Sequence, residues 1–96
     1  RISDLVPVVH IEVAGKVQGI GFRHFVQQQA RALELSGWVR NLSSGNLEIA
    51  ASGGEESVRA LLDAVRQGPP GATVKQVIKL VPQPSLELPH PFTILK

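Results

Sequence analysis

The spacing of apolar positions changes period several times along this 96-residue chain. Val9, Ile11 and Val13 alternate with His10, Glu12 and Ala14, the period of two expected of a half-buried strand over Val8 to Ala14. Residues 1–7 ahead of it show no period and read as a leader. From Phe22 the spacing lengthens: Phe22, Val26, Ala30 and Leu33 recur every three or four residues, with Gln27, Gln28, Arg31 and Glu34 mostly between them. This predicts an amphipathic helix from Phe22 to about Glu34, with Gly37 near its stop. Trp38 to Leu42 and Leu47 to Ala51 read as second and third strands joined by a Ser43-Ser44-Gly45-Asn46 hairpin connection. Ser52-Gly53-Gly54-Glu55 fits a capping box. Val58, Leu61, Leu62 and Val65 then fall at i, i+3, i+4 and i+7, one helical stripe, and Gly68-Pro69-Pro70-Gly71 ends it. Val74 to Val81 predicts a fourth strand. Pro82, Pro84, Pro89 and Pro91 break the next stretch into a loop, and Phe92 to Leu95 suits a short fifth strand at an edge.

The order β-α-β-β-α-β predicts an α+β fold, a ferredoxin-like sandwich with two helices on one face of an antiparallel sheet. The length suits one domain, over 8–96. No internal repeat or low-complexity tract interrupts it.

The connection between the first strand and the first helix carries the chemistry. Gly15-Lys16-Val17-Gln18-Gly19-Ile20-Gly21-Phe22-Arg23 has three glycines, which let successive N–H groups point into one concavity. The helix start adds unpaired N–H donors and a positive dipole end. Arg23 falls in the first helical turn with a planar, permanently charged fork. Such a cradle, made from the backbone of Gln18, Gly19, Ile20, Gly21 and Phe22 with Arg23, suits one doubly charged phosphate group. Glycines alone would equally serve a tight turn. The segment is not a P-loop, which needs Lys-Ser or Lys-Thr after the glycines. Nor is it a dinucleotide fingerprint, since His24 stands where a third glycine is required.

That segment resembles the acylphosphatase signature, and Gly37-Trp38-Val39-Arg40-Asn41 resembles that family's second motif. The likeness runs from about residue 8 to the end, through Gly68-Pro69-Pro70, with Ile20 where Val is commonest. It implies a small α+β hydrolase acting on carboxylic–phosphoric anhydrides without a metal or cofactor. It also implies that Arg23 binds phosphate and Asn41 orients the attacking water.

Topology supports that pairing independently. A β-α-β crossover makes the first two strands parallel, so the glycine loop and Asn41 leave the sheet at one edge, with room for the third strand between them. Asn at a strand end is by itself more often a local turn residue. Opposite this loop, its carbonyl and amide can hold a water in a fixed direction. The chemistry expected is then stabilisation of phosphoryl charge by the cradle and Arg23, with water placed in line by Asn41. A carboxylate is a good leaving group, so no strong general acid is required.

Composition narrows the alternatives. The absence of cysteine excludes disulfides and thiolate chemistry and leans toward the cytoplasm. A net charge of +2 is too small to imply nucleic acid. No apolar run approaches ~18 residues, so neither a membrane nor a nucleic acid is an expected partner. The expected partner is a small-molecule acyl phosphate, met by a monomer. The lack of any methionine predicts that an N-terminal piece is missing or that the domain was cut from a longer chain. His24 should point about 100° away from Arg23. His10 and His90 lack a ligand pattern. Glu55 and Glu56 suit a helix start, Ser43 and Ser44 the hairpin, Lys16 solvent, and Trp38 and the three phenylalanines the core.

Three rival readings stay in view. An RNA-binding sheet would need aromatics on its first and third strands, and Val8–Ala14 and Leu47–Ala51 have none. The chain also resembles the N-terminal part of hydrogenase-maturation carbamoyltransferases, which bind carbamoyl phosphate, although His24 stands where that group usually has Pro. An inactive remnant of the fold is opposed by the intact pair Arg23 and Asn41.

Overall fold

The computed structural model describes residues 8–81 and 87–95. The proposed leader, Pro82 and Pro84 lie outside them. Seven elements succeed one another: β1 (Val8–Lys16), α1 (Phe22–Ala32), β2 (Ser36–Asn41), β3 (Leu47–Ser52), α2 (Glu55–Gln67), β4 (Thr73–Lys79) and β5 (Thr93–Ile94). The sheet order is β4-β1-β3-β2-β5. β3 pairs antiparallel with both β1 and β2, and β4 pairs antiparallel with β1. β5 pairs parallel with β2, so the five-stranded sheet is mixed rather than wholly antiparallel. The chain reaches β5 after a long excursion, which frees it from the hairpin geometry that imposes antiparallel pairing.

Both helices lie on one face. α1 buries Phe22, Val26 and Ala30, and α2 buries Val58, Leu61 and Val65. They cover Ile11 and Val13 of β1, Val39 of β2 and Leu47, Ile49 and Ala51 of β3. Each such large side chain contributes about 1.5–3 kcal/mol by leaving water. Alternation sends His10, Glu12, Trp38, Arg40 and Glu48 to the opposite face.

Three local predictions are corrected. α1 ends at Ala32, and the left-handed residue behind it is Glu34, at φ 58°, not Gly37. Leu35 N–H reaches Ala30 O at 2.9 Å and Glu34 N–H reaches Arg31 O at 3.0 Å, a Schellman closure in which Leu35 is buried. Gly37 instead lies within β2. The proposed capping box does not form: Ser52 ends β3, and α2 starts from Gly54 with no side-chain cap. Glu55 and Glu56 still occupy the first turn, favourable to the helix dipole. Trp38 is buried on the face away from the helices, outside the main core, with its Nε1–H donated to Glu87 O at 3.1 Å. Phe22 and Phe92 are fully buried in the core and Phe25 packs against it.

Candidate active site

The loop between β1 and α1 is held from below and open above. Val17 and Phe22 are each 1% exposed, and Ile20 packs partly against the core. Gly19 and Gly21, between these anchors, take φ values of 77° and 80°, a region that L side chains avoid. A Cβ at either would meet nothing within 4 Å among the described residues. These glycines are therefore needed for backbone direction, and the space beside them stays open to a ligand.

Gly21 is also the N-cap of α1, and no side chain caps it. The first backbone bond of the helix is Phe25 N–H to Gly21 O, 3.0 Å. The N–H groups ahead of it therefore lack intrahelical acceptors. The first turn holds no acidic residue, so nothing there opposes an anion at the dipole's positive end. Arg23 is half-buried in that turn and has no ion-pair partner among the described residues. The first turn therefore combines unpaired backbone donors with a cationic side chain.

Asn41 closes β2 and is exposed. Its cross-strand partner is Leu47, which on its other side pairs with Val13 of β1. Asn41 and Val13 are thus level across the sheet, with β3 between them, and the glycine loop leaves β1 at the same end, after Lys16. The strands place loop and asparagine at one edge, as the crossover argument requires. A direct link joins them. Gln18 Nε2 donates to Leu42 O at 2.8 Å and to Asn46 O at 2.9 Å, so the loop is fastened to the β2–β3 turn that begins after Asn41.

The remaining candidates fall outside. His24 and Lys16 are exposed. Ser43 is exposed, and Ser44 Oγ accepts from Asn46 N–H at 3.4 Å within the turn. His90 Nδ1 lies 3.1 Å from Ser36 Oγ, far along β2 from Asn41. Among the described residues no group of three or more His, Cys, Asp or Glu is placed to hold a metal ion.

A polar cluster that sequence reasoning missed occupies the other face. Glu48 accepts from His10 Nε2 and from Arg40 Nε, each at 2.6 Å. Arg40 also lies over the Trp38 ring, 5.3 Å from its centroid. Burial raises the Glu48 carboxyl, but the hydrogen bonds and charges of His10 and Arg40 outweigh it and hold the group below its usual 4.5. A cavity of about 720 Å³ opens beside these residues under Glu87, Leu88 and Pro89. None of its lining residues comes from the glycine loop. Alternation placed His10 with Glu12 on one face of β1; the register that sets Glu48 opposite Arg40 was the missing piece.

The two-layer fold, with unpaired backbone donors and a basic side chain at one strand-to-helix turn, defines a small α+β sandwich protein. Comparison with known proteins makes the class specific. The Acylphosphatase family profile matches residues 9–94, and the chain belongs to that family. An acylphosphatase of Moorella thermoacetica is 52% identical over 68 residues, covering 71% of this chain and 73% of the relative. The crystal structure of acylphosphatase from Bacillus subtilis superimposes with a TM-score of 0.84 at 39% identity, over 93% of this chain and 98% of that one. Full-length HypF, solved in a phosphate- and nucleotide-bound form, matches at TM-score 0.72 and 29% identity, over 95% of this chain but 12% of its own length. Among the described residues no helix is long and apolar enough to cross a membrane.

Proposed function

We propose that this protein hydrolyses acyl phosphates to carboxylate and inorganic phosphate without a metal, at the site formed by residues 18–23 and Asn41. The observation that supports this reading is that the glycine loop and Asn41 leave the sheet at the same end, with Gln18 fastening the loop to the turn after Asn41. The backbone N–H groups of Gln18 to Phe22 and the Arg23 fork take the terminal phosphate. Their charge and dipoles match the negative charge that spreads over the phosphoryl oxygens in the transition state. Asn41 accepts a hydrogen bond from one water and aims its oxygen at phosphorus, opposite the acyl oxygen. The P–O bond to the water forms, the P–O bond to the acyl group breaks, and its electron pair leaves on the carboxylate. The water's proton passes to a phosphate oxygen or to solvent.

Arg23 is half-buried and its neighbourhood lacks carboxylates in the first turn, which supports an anion ligand over a structural ion pair. The acyl half is expected to face solvent, so broad acyl specificity is proposed, together with a monomeric state. Cysteine-free composition supports a cytoplasmic setting. The alternative is a carbamoyl-phosphate-binding domain of a larger carbamoyltransferase. It is the weaker reading, since the acylphosphatase structure matches more closely than HypF, of which the fold forms a small part.

The test is hydrolysis of benzoyl phosphate by the purified protein with and without EDTA, beside Asn41→Ala. EDTA-insensitive turnover that falls about 100-fold in the variant, with inhibition by inorganic phosphate kept, is the expected result. Full turnover in Asn41→Ala would end the water-positioning role.

A further inference from the structure

Gln18 sits inside the proposed phosphate loop, yet its side chain turns away from a phosphate role. Its amide has two N–H donors and one carbonyl acceptor. Both partners, Leu42 O and Asn46 O at 2.8 and 2.9 Å, are carbonyl oxygens. Only the nitrogen end can meet them, so the amide's orientation is set by its surroundings. Both hydrogens are then spent. What remains is Oε1, an acceptor, which has nothing to offer a phosphate oxygen.

The two carbonyls close the β2–β3 turn. Leu42 N–H donates to Asn46 O at 2.8 Å, and Gly45 N–H donates to Leu42 O at 3.1 Å. Gln18 therefore adds two bonds to the two backbone–backbone bonds of the turn. Asn46 extends the brace on its other side, donating from Nδ2 to Glu12 Oε2 of β1 at 2.6 Å. Leu42 is the next residue after Asn41, whose own side chain is exposed. We propose that the Gln18 side chain is a positioning residue that holds Asn41 by clamping the Leu42–Asn46 turn, and that its main-chain N–H alone serves the phosphate. This rests on the acyl phosphate reading of the site.

Binding and turnover should therefore separate at Gln18. The cradle's shape comes from Gly19 and Gly21 and from the buried anchors Val17 and Phe22, none of which depends on the Gln18 amide. The direction of Asn41 does depend on it, and small misplacement of a reacting water is costly. Gln18→Met keeps length and removes the donors without adding charge. With benzoyl phosphate its kcat should fall about 10-fold, while KM and inhibition by inorganic phosphate stay within about twofold. A simple loss of folded protein would not produce that split once corrected for the folded fraction. Weakened phosphate inhibition with kcat kept would make the side chain a phosphate ligand and overturn the proposal. So would unchanged kcat.

Amide hydrogen exchange without substrate provides a separate reading. The Leu42 amide should exchange about 10-fold faster in Gln18→Met, and unchanged exchange would overturn the clamp. If the unmodified protein fails to hydrolyse benzoyl phosphate, the acyl phosphate reading falls, and exchange alone decides whether the clamp exists. Should Gln18→Met not fold by circular dichroism, Gln18→Ser, which cannot span to both carbonyls, is read by the same criteria.

Discussion

Glu48→Leu tests how the open sheet face is held, and its cost can be worked out from the neighbours. Glu48 is 9% exposed, and its carboxylate accepts from His10, itself 8% exposed. Among the described residues His10 Nδ1 already has no hydrogen-bond partner. Leucine would leave Nε2 without one as well, at about 1–3 kcal/mol for a buried polar group. Arg40 is different: its side chain is 45% exposed, so it can turn into water, and its pairing is worth about 0–1 kcal/mol. Relief of Glu12, which faces Glu48 directly across β1 and β3, works the other way by a few tenths. The net expectation is about 2 kcal/mol of lost stability, or roughly 8–16 °C in Tm for a domain of this size. Urea unfolding at pH 7, monitored by far-UV circular dichroism, measures it. The decisive control repeats the substitution in a His10→Phe background, where no ring nitrogen is stranded and the cost should drop below about 1 kcal/mol. Equal costs in both backgrounds would show that the stranded His10 nitrogen is not the cause. The sign of the pH dependence is also set. Glu48 titrates below its usual 4.5 in the folded protein, so its contribution is complete above that value and lost as pH falls through the depressed one. The gap between the two proteins should be full at pH 7 and close under acid. Turnover should stay within about twofold, because the cluster lies on the sheet face opposite the helices.

Three other outcomes are expected. Arg23→Gln should weaken inhibition by inorganic phosphate by about 100-fold, the loss of a charged hydrogen-bonding fork, measured by competition against benzoyl phosphate. Gly37→Ala should cost more than about 3 kcal/mol in urea unfolding, since a Cβ at φ 138° would lie 1.9 Å from Ala50 O across the β2–β3 pair. Glu34→Gly should stabilise by about 0.5–1 kcal/mol, because glycine removes the left-handed strain but adds freedom to the unfolded chain; a lowered Tm would contradict the assignment of Glu34 as the helix-closing residue.

The features legible in the chain alone are local ones. Alternation in Val9–Ala14 gave the faces of β1, the stripes of Phe22–Ala30 and Val58–Val65 defined both helices, and the glycine spacing located the loop. Each is a property of neighbours within a few residues, where period and turn chemistry act directly. The crossover rule even brought Arg23 and Asn41 toward one edge, because chain direction is a consequence of connectivity. Contacts between distant segments settled the rest. The strand register set Glu48 between Arg40 and Glu12, within side-chain reach of His10, and turned Trp38 away from the core. The close β2–β3 approach assigned Gly37 to packing, leaving Glu34 to end α1. β5 paired parallel because a long connection leaves direction open. Gln18 shows the division within one residue: its place in the glycine motif was legible in the chain, whereas its side-chain partners, Leu42 and Asn46, exist only once the loop lies over the β2–β3 turn.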